Sequence, residues 1–297
     1  MSAVVGTTVG TGPFRDERAA SRMSRGRKRS DTTVRILCVL ATIIGLGFLL
    51  SILWTLLSLG FSGLSPVVFT NSTSDANRGL LNAIVGSVIQ AGIGTLIGTP
   101  IGIMVGTYLS EYARDTTLGG AVRFVSDVLL SAPSILIGLF VFNIFNTLRP
   151  GHAYSGLAGG CALAVIVIPI VIRTTEDMLR LIPVALREAA VALGAPKWKS
   201  IVFICYRAAL SGIATGVLLA VARVAGETAP LLFTSFGNDN WSANLGSAMA
   251  SLPVAIYKFA VYPDEASVRL AWVGALLITF GVLTLNIIAR VVLRTRR

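Results

Sequence analysis

Histidine is almost missing from this chain: His152 stands alone, on a short connection beside Pro150 and Gly151. That leaves little to build a histidine metal site or catalytic relay, and the residue reads as part of a solvated loop. Cysteine is scarce too. Cys38, Cys161 and Cys205 lie in or beside apolar runs, at spacings that fit neither a zinc site nor a disulfide framework, so they read as inert apolar residues. Charge is thin: 13% of residues are charged against 54% hydrophobic, and mean hydropathy is +0.78. This excludes an ordinary soluble protein and makes lipid the expected solvent. Chemical signatures are lacking as well. There is no G-x-x-x-x-G-K-[ST], so the chain is not expected to hydrolyse ATP itself. With no H-E-x-x-H, no G-x-S-x-G and widely separated intramembrane Asp and Glu, a membrane-embedded enzyme has no support. No cofactor and no metal are expected.

What is present is length of apolar run. About 20 helical residues cross the ~30 Å of bilayer hydrocarbon. Six runs meet that need: Ile36 to Leu59, Leu80 to Leu109, Val125 to Leu148, Gly156 to Ile172, Ala208 to Phe233 and Leu270 to Leu293. The fourth is the shortest. The reading is an all-α membrane protein, a six-span transmembrane helical bundle, with both termini on one side of the membrane.

The net charge of +11 raises nucleic acid as a partner, but the basic residues sit between apolar runs and at the termini, with no basic-aromatic groove pattern. Their placement sets topology instead. Twenty of the 25 Lys and Arg fall in the N-terminal arm, the 110–124 and 173–207 connections and the C-terminal tail, whereas the three opposite connections hold Arg78, Arg149, Lys258 and Arg269. The positive-inside rule then makes both termini cytoplasmic. Residues 1–33, rich in Gly, Thr, Ser and Arg, are expected to be a disordered basic cytoplasmic arm, and 34–297 the membrane domain. The apolar run after "RGRKRS" is too long for a signal-peptide core, so it is expected to remain as the first span.

Inside the spans, Gly94, Gly98, Gly102 and Gly106 recur every four residues, which puts them on one helix face open to close approach by another helix. Pro100, Pro133, Pro169 and Pro230 are expected to mark bends or breaks. Arg223 and Glu227 lie one turn apart near the middle of the fifth run, and Arg173 and Glu176 at the inner end of the fourth. A central charge costs at least ~2.5 kcal/mol, so each should face the bundle interior or water and have a partner. Two readings stay open: mutual neutralisation that pins helices, or a polar route for an anion, in which guanidinium forks match the oxygens of an oxyanion while nearby Glu limits the hold. Asp127 could cap its helix or accept a cation.

The connection 173–207 contains "REAAVALGAPKWKS". Pro183 can start a helix, Val184 to Leu193 continues it, Gly194 suits its C-terminal cap and Pro196 can start another. Alanines keep the first helix slim. Such a helix suits docking into a groove on another protein, or lying on the membrane surface.

Glu188-Ala189-Ala190 followed by Gly194 resembles the EAA loop of permease subunits in bacterial binding-protein-dependent ABC importers, which implies a cytoplasmic coupling helix docking on an ATPase subunit. Ile204 falls at that loop's expected isoleucine, but Tyr206 and Arg207 replace the usual Leu-Pro, which implies a differently shaped loop end. "VIRTTEDMLRLIPVALREAAVALGAPKWKSIV", "AVARVAGETAPLLFTSFGN" and "AWVGALLITFGVLTLNIIARVV" look like the PstA family of permease subunits from bacterial phosphate importers. That resemblance implies the ABC importer permease fold, an inner-membrane location and ATP-driven phosphate import. It implies as partners a second related permease, an ATPase dimer and an extracytoplasmic phosphate-binding protein. It favours Arg173 and Arg223 as pathway residues with Glu176 and Glu227 as their partners. The alternatives are a permease for another oxyanion, such as sulfate or phosphonate, and, in a different class, a passive anion channel.

Overall fold

A computed structural model of the chain describes residues 17–151 and 153–295, so His152, residues 1–16 and the last two residues lie outside the described residues. The chain divides into two units, Met1–Thr55 and Leu56–Arg297. Helix α1, Glu17–Ser62, runs through the end of the first unit. Its apolar side chains from Val34 to Trp54 are exposed, as suits a helix solvated by lipid. Residues 17–33, expected to lack structure, are helical here: "ERAASRMSRGRKRS" is rich in good helix formers and leads without a break into the first span.

The second unit is helical, and no strand occurs among its described residues. After the short α2, Val67–Thr70, come α3, Leu81–Glu111, then α4, Thr117–Ser131, and α5, Ser134–Leu148. Among the described residues five helices are long and apolar enough to span a membrane, and six if α4 and α5, a pair bent by 106°, count as one span. The bend has a local cause. Ala132 is extended, with ψ 137°, because proline disfavours helical backbone in the residue before it, and Pro133 follows with ψ 128°. Pro133 therefore breaks its span as expected. Pro100 lies inside the continuous α3, and Pro169 inside α6, Gly156–Arg180.

The fourth span thus continues past Ile172 to Arg180. Its polar continuation is tolerated because it is internally bonded: the Thr174 hydroxyl donates to the Ile170 carbonyl at 3.0 Å, and Glu176 is buried with arginine partners. Ser155 starts α6 by accepting a hydrogen bond from the Ala158 amide at 3.1 Å.

The glycine face of α3 meets α6. A Cβ at Gly94 would lie 2.7 Å from the Leu163 Cβ, at Gly98 2.7 Å from the Val167 Cβ, at Gly102 2.6 Å from the Val171 Cβ and at Gly106 2.8 Å from the Thr175 Cβ. Four glycines spaced by four thus seat four α6 residues spaced by four. Leu163, Val167 and Val171 are the centre of the apolar core, joined by Ala220, Val224 and Leu231 from the later helices.

After α6 come α7, Val184–Ala192, and α8, Lys197–Ser200. A π-helical turn, Ile201–Cys205, joins α8 to α9, Tyr206–Ala225, so these three form one span from Lys197 to Ala225. The short α10, Ala229–Thr234, precedes α11, Leu252–Val261, and the long α12, Glu265–Thr295. The fifth span therefore starts and ends earlier than its hydropathy suggests, and Pro230 lies in the first turn of the separate α10. Connections sort to two ends. At one, the Asn82 carboxamide donates to the Asn238 and Asp239 carbonyls at 2.9 and 3.0 Å. The other carries α7 and the ends of α3 and α6.

Candidate functional site

The helix-turn-helix expected around Gly194 is present. Pro183 precedes α7 as its N-cap, and α7 ends on Leu193 with Gly194 at φ 75°. The Ala195 amide donates to the Ala190 carbonyl at 3.0 Å and the Gly194 amide to the Val191 carbonyl at 2.9 Å. These two bonds are a Schellman motif, which needs a left-handed residue at the position Gly194 holds. Pro196 then caps α8. Glu188, Ala189 and Gly194 are exposed, as are Val191 and Leu193, while Ala190 is buried and faces the chain's own core. One face of α7 is thus exposed and the other is seated.

Arg187 does the seating. Its guanidinium donates to Glu111 Oε1 at 2.7 Å and to the Leu179 and Ile182 carbonyls, both at 2.7 Å. Lys197, beyond the glycine turn, donates to the Glu111 carbonyl and lies 4.2 Å from the centre of the Tyr112 ring. The loop end departs from a proline-broken one: Tyr206 and Arg207 continue the helix, and the Tyr206 hydroxyl is 2.8 Å from Thr107 Oγ1 on α3.

The intramembrane charges are grouped differently from their spacing. Arg173 and Glu176 are not partners. Glu176, 2% exposed, accepts from Arg123 Nε at 2.7 Å and pairs with Arg180 at 2.6 Å. Arg123 also donates to the Leu109 and Ala113 carbonyls at 3.1 and 3.2 Å, tying α4 to the end of α3. Arg173, half exposed, lies 3.6 Å from Asp127 and 3.5 Å from Asp177. The reason is rotational. Positions 173 and 177 share a face of α6 that meets Asp127, whereas 176 and 180 share the face that meets Arg123.

Arg223 and Glu227 do meet, at 3.5 Å, but not in mid-span. Arg223 is in the last turn of α9, Gly226 ends that helix, and Glu227 follows it. Arg223 is half exposed and borders a narrow crevice with Leu129, Leu130, Ala132, Ser134 and Pro169. This is the α4–α5 break. Arg173 pairs with Asp127 two residues before Leu129, so both arginines lie along the same end of α4.

Four charged residues around the loop, Glu111, Arg123, Arg180 and Arg187, escaped sequence reasoning. Arg180 carried a local signal, since it stands one helical turn after Glu176. Glu111 and Arg123 look like ordinary helix-end and loop charges, and no short-range spacing joins them to their partners. Among the described residues no group of three His, Cys, Asp or Glu could hold a metal ion.

Residues 98–297 match the family model described as binding-protein-dependent transport system inner membrane component. A phosphate transport system permease protein PstA from Pasteurella multocida is 51% identical, covering 89% of this chain and 95% of that one. PstA 1 from Mycobacterium tuberculosis is 38% identical over 74% of this chain and 71% of its own. Among solved structures, a bacterial ABC transporter involved in import of the acidic polysaccharide alginate matches with TM-score 0.66 at 16% identity, covering 92% of this chain and 99% of that one. The MetNI methionine ABC transporter in an inward-facing form matches with TM-score 0.60 at 18% identity, covering 73% of this chain and 95% of that one. At these identities the two structures speak for the fold, while the sequence relatives speak for descent. The chain belongs to the family of binding-protein-dependent transport system inner membrane components.

Proposed function

We propose that the chain is the transmembrane permease subunit of an ATP-driven importer of inorganic phosphate, embedded in the bacterial inner membrane with both termini cytoplasmic. The observation that carries this reading is α7: a slim helix with Glu188, Ala189, Val191 and Leu193 exposed on one side and Arg187 anchored on the other, ended by a rigid glycine turn. Relatives named as phosphate transport permeases, at 46% identity or more over about nine-tenths of the chain, support phosphate as the substrate. ATP hydrolysis belongs to a dimer of partner ATPase subunits, since the sequence has no phosphate-binding loop. A second, related permease completes the pathway, and an extracytoplasmic binding protein delivers the anion. Closing of the ATPase dimer moves the coupling helices and rocks the spans from outward to inward facing.

Phosphate passes two half-exposed guanidiniums, Arg173 beside Asp127 on α4 and Arg223 at the α4–α5 break. Both are held by carboxylates at 3.5–3.6 Å, too far for tight hydrogen bonds, so an anion can compete for them. Glu227 is the counter-charge to Arg223. Glu176, buried and paired with both Arg123 and Arg180, belongs to the frame that holds α6 and not to the route. The test is uptake of labelled phosphate by the complex reconstituted in proteoliposomes. Import should require ATP on the ATPase side and binding protein on the opposite side, and unlabelled phosphate should compete far better than sulfate or a phosphonate. Equal competition would move the assignment to another oxyanion, and flux without ATP would make the chain a passive channel.

A further inference from the structure

We propose that Glu111 is a positioning residue that links the coupling helix to the α3–α6 pair, so that movement of α7 drives both helices together. The inference rests on the reading of α7 as the helix that docks on the ATPase.

Glu111 is the last residue of α3, and its side chain is 7% exposed. Both arms of the helix-turn-helix reach it: Arg187 of α7 binds its carboxylate at 2.7 Å, and Lys197 of α8 donates to its carbonyl. The same Arg187 guanidinium donates to the Leu179 and Ile182 carbonyls at the end of α6. One side chain on α7 therefore grips the ends of two spans. In this poorly solvated site the charge-assisted contact is stronger than a surface ion pair. The two gripped helices are joined along about three turns by the Gly94, Gly98, Gly102 and Gly106 seats, where the helices approach closely. A pull on Glu111 is thus delivered to α3 and α6 as one body.

The covalent route from the loop to α9 is built differently. It passes through the π-helical turn Ile201–Cys205, a wider backbone ring at which helix geometry can adjust. The loop consequently has a stiff polar tie to α3 and α6 and an adjustable one to α9.

The experiment measures phosphate imported per ATP hydrolysed by the full complex in proteoliposomes. Wild type is compared with Glu111→Gln, Glu111→Asp, Arg187→Gln and the Glu111→Gln/Arg187→Gln double variant. Glu111→Gln should keep its ATPase subunit and its hydrolysis while the transport ratio falls at least about 5-fold, the lower end of usual coupling free energies. Glu111→Asp, which keeps the charge, should recover most of the ratio. The double variant should be no worse than the poorer single one, as for two halves of one link. An unchanged ratio in Glu111→Gln beside a working wild type would overturn this proposal alone. So would additive losses, or loss of the ATPase subunit from the Glu111→Gln complex, which would make the pair a docking contact. A wild-type complex that retains no ATPase subunit would overturn the reading of α7, and this link with it.

Discussion

Arg173 and Glu176, three residues apart on α6, belong to separate ion-pair groups: Arg173 lies 3.6 Å from Asp127, while Glu176 is closed between Arg123 and Arg180 at 2.7 and 2.6 Å. One is half exposed and weakly held, the other buried between two arginines. On the proposed function, that difference separates a group that meets the passing anion from one that holds helices.

Removing the buried carboxylate should therefore harm the fold first. Glu176→Ala leaves Arg123 without its counter-charge in a site shared with the end of α3, and such losses run to about 3–5 kcal/mol. Thermal unfolding of the detergent-solubilised subunit should shift sharply down, with little folded protein recovered. A variant with normal stability but no uptake would return Glu176 to the pathway.

Arg223 should behave in the opposite way. Arg223→Lys keeps the charge and loses the fork, and hydrogen bonds to charged groups are worth about 1.5–3 kcal/mol, so uptake should fall about 10-fold or more with assembly intact. The Arg223→Gln/Glu227→Gln double variant leaves no unpaired charge, and it should assemble, keep its ATPase and still fail to import. For Arg173 the matching combination changes Asp127 and Asp177 to Asn with Arg173→Gln. Near-normal uptake in both combinations would reduce these arginines to helix pins.

The α3 glycines give a paired test of packing. Gly98→Ala would bring a Cβ within 2.7 Å of Val167, and overpacking of this kind costs about 1–3 kcal/mol. Gly92, on the same helix, has nothing within 4 Å of the place an added methyl would take, and Gly92→Ala should be neutral or stabilise by about 0.5–1 kcal/mol. Equal melting temperatures for the two variants would contradict the close approach of α3 and α6.

At Gly194 the demand is backbone conformation alone, since a Cβ there meets nothing within 4 Å and φ is 75°. Gly194→Val should disrupt the turn and reduce ATPase co-purification while membrane insertion persists, whereas Gly194→Asn, which tolerates the left-handed region, should lose much less. Normal co-purification and uptake in the valine variant would remove the docking role from this loop.

Orientation is checked by cysteine labelling of intact cells. Positions 71 and 238 should react from outside, and positions 197 and 295 only after permeabilisation. External labelling at 197 would place α7 on the wrong side for a cytoplasmic ATPase.

Much of this molecule is written in short-range pattern. The glycine face, the helix ended by Gly194, the break at Pro133 and the sorting of Lys and Arg between connections all follow from helix period, left-handed backbone and the energetics of charge in lipid. These are properties of residues within a few turns of each other. Which helix fills the glycine face, and which charges meet, is settled only when the helices pack. Arg123 reaches Glu176 across 53 residues and Arg187 reaches Glu111 across 76. A neighbour such as Arg173, three positions away, is passed over because it points along another face of α6. Side-chain periodicity sets the faces, but once α3 and α6 close to backbone contact, the choice of partner for a buried charge is made by whichever opposite charge the packing leaves within reach.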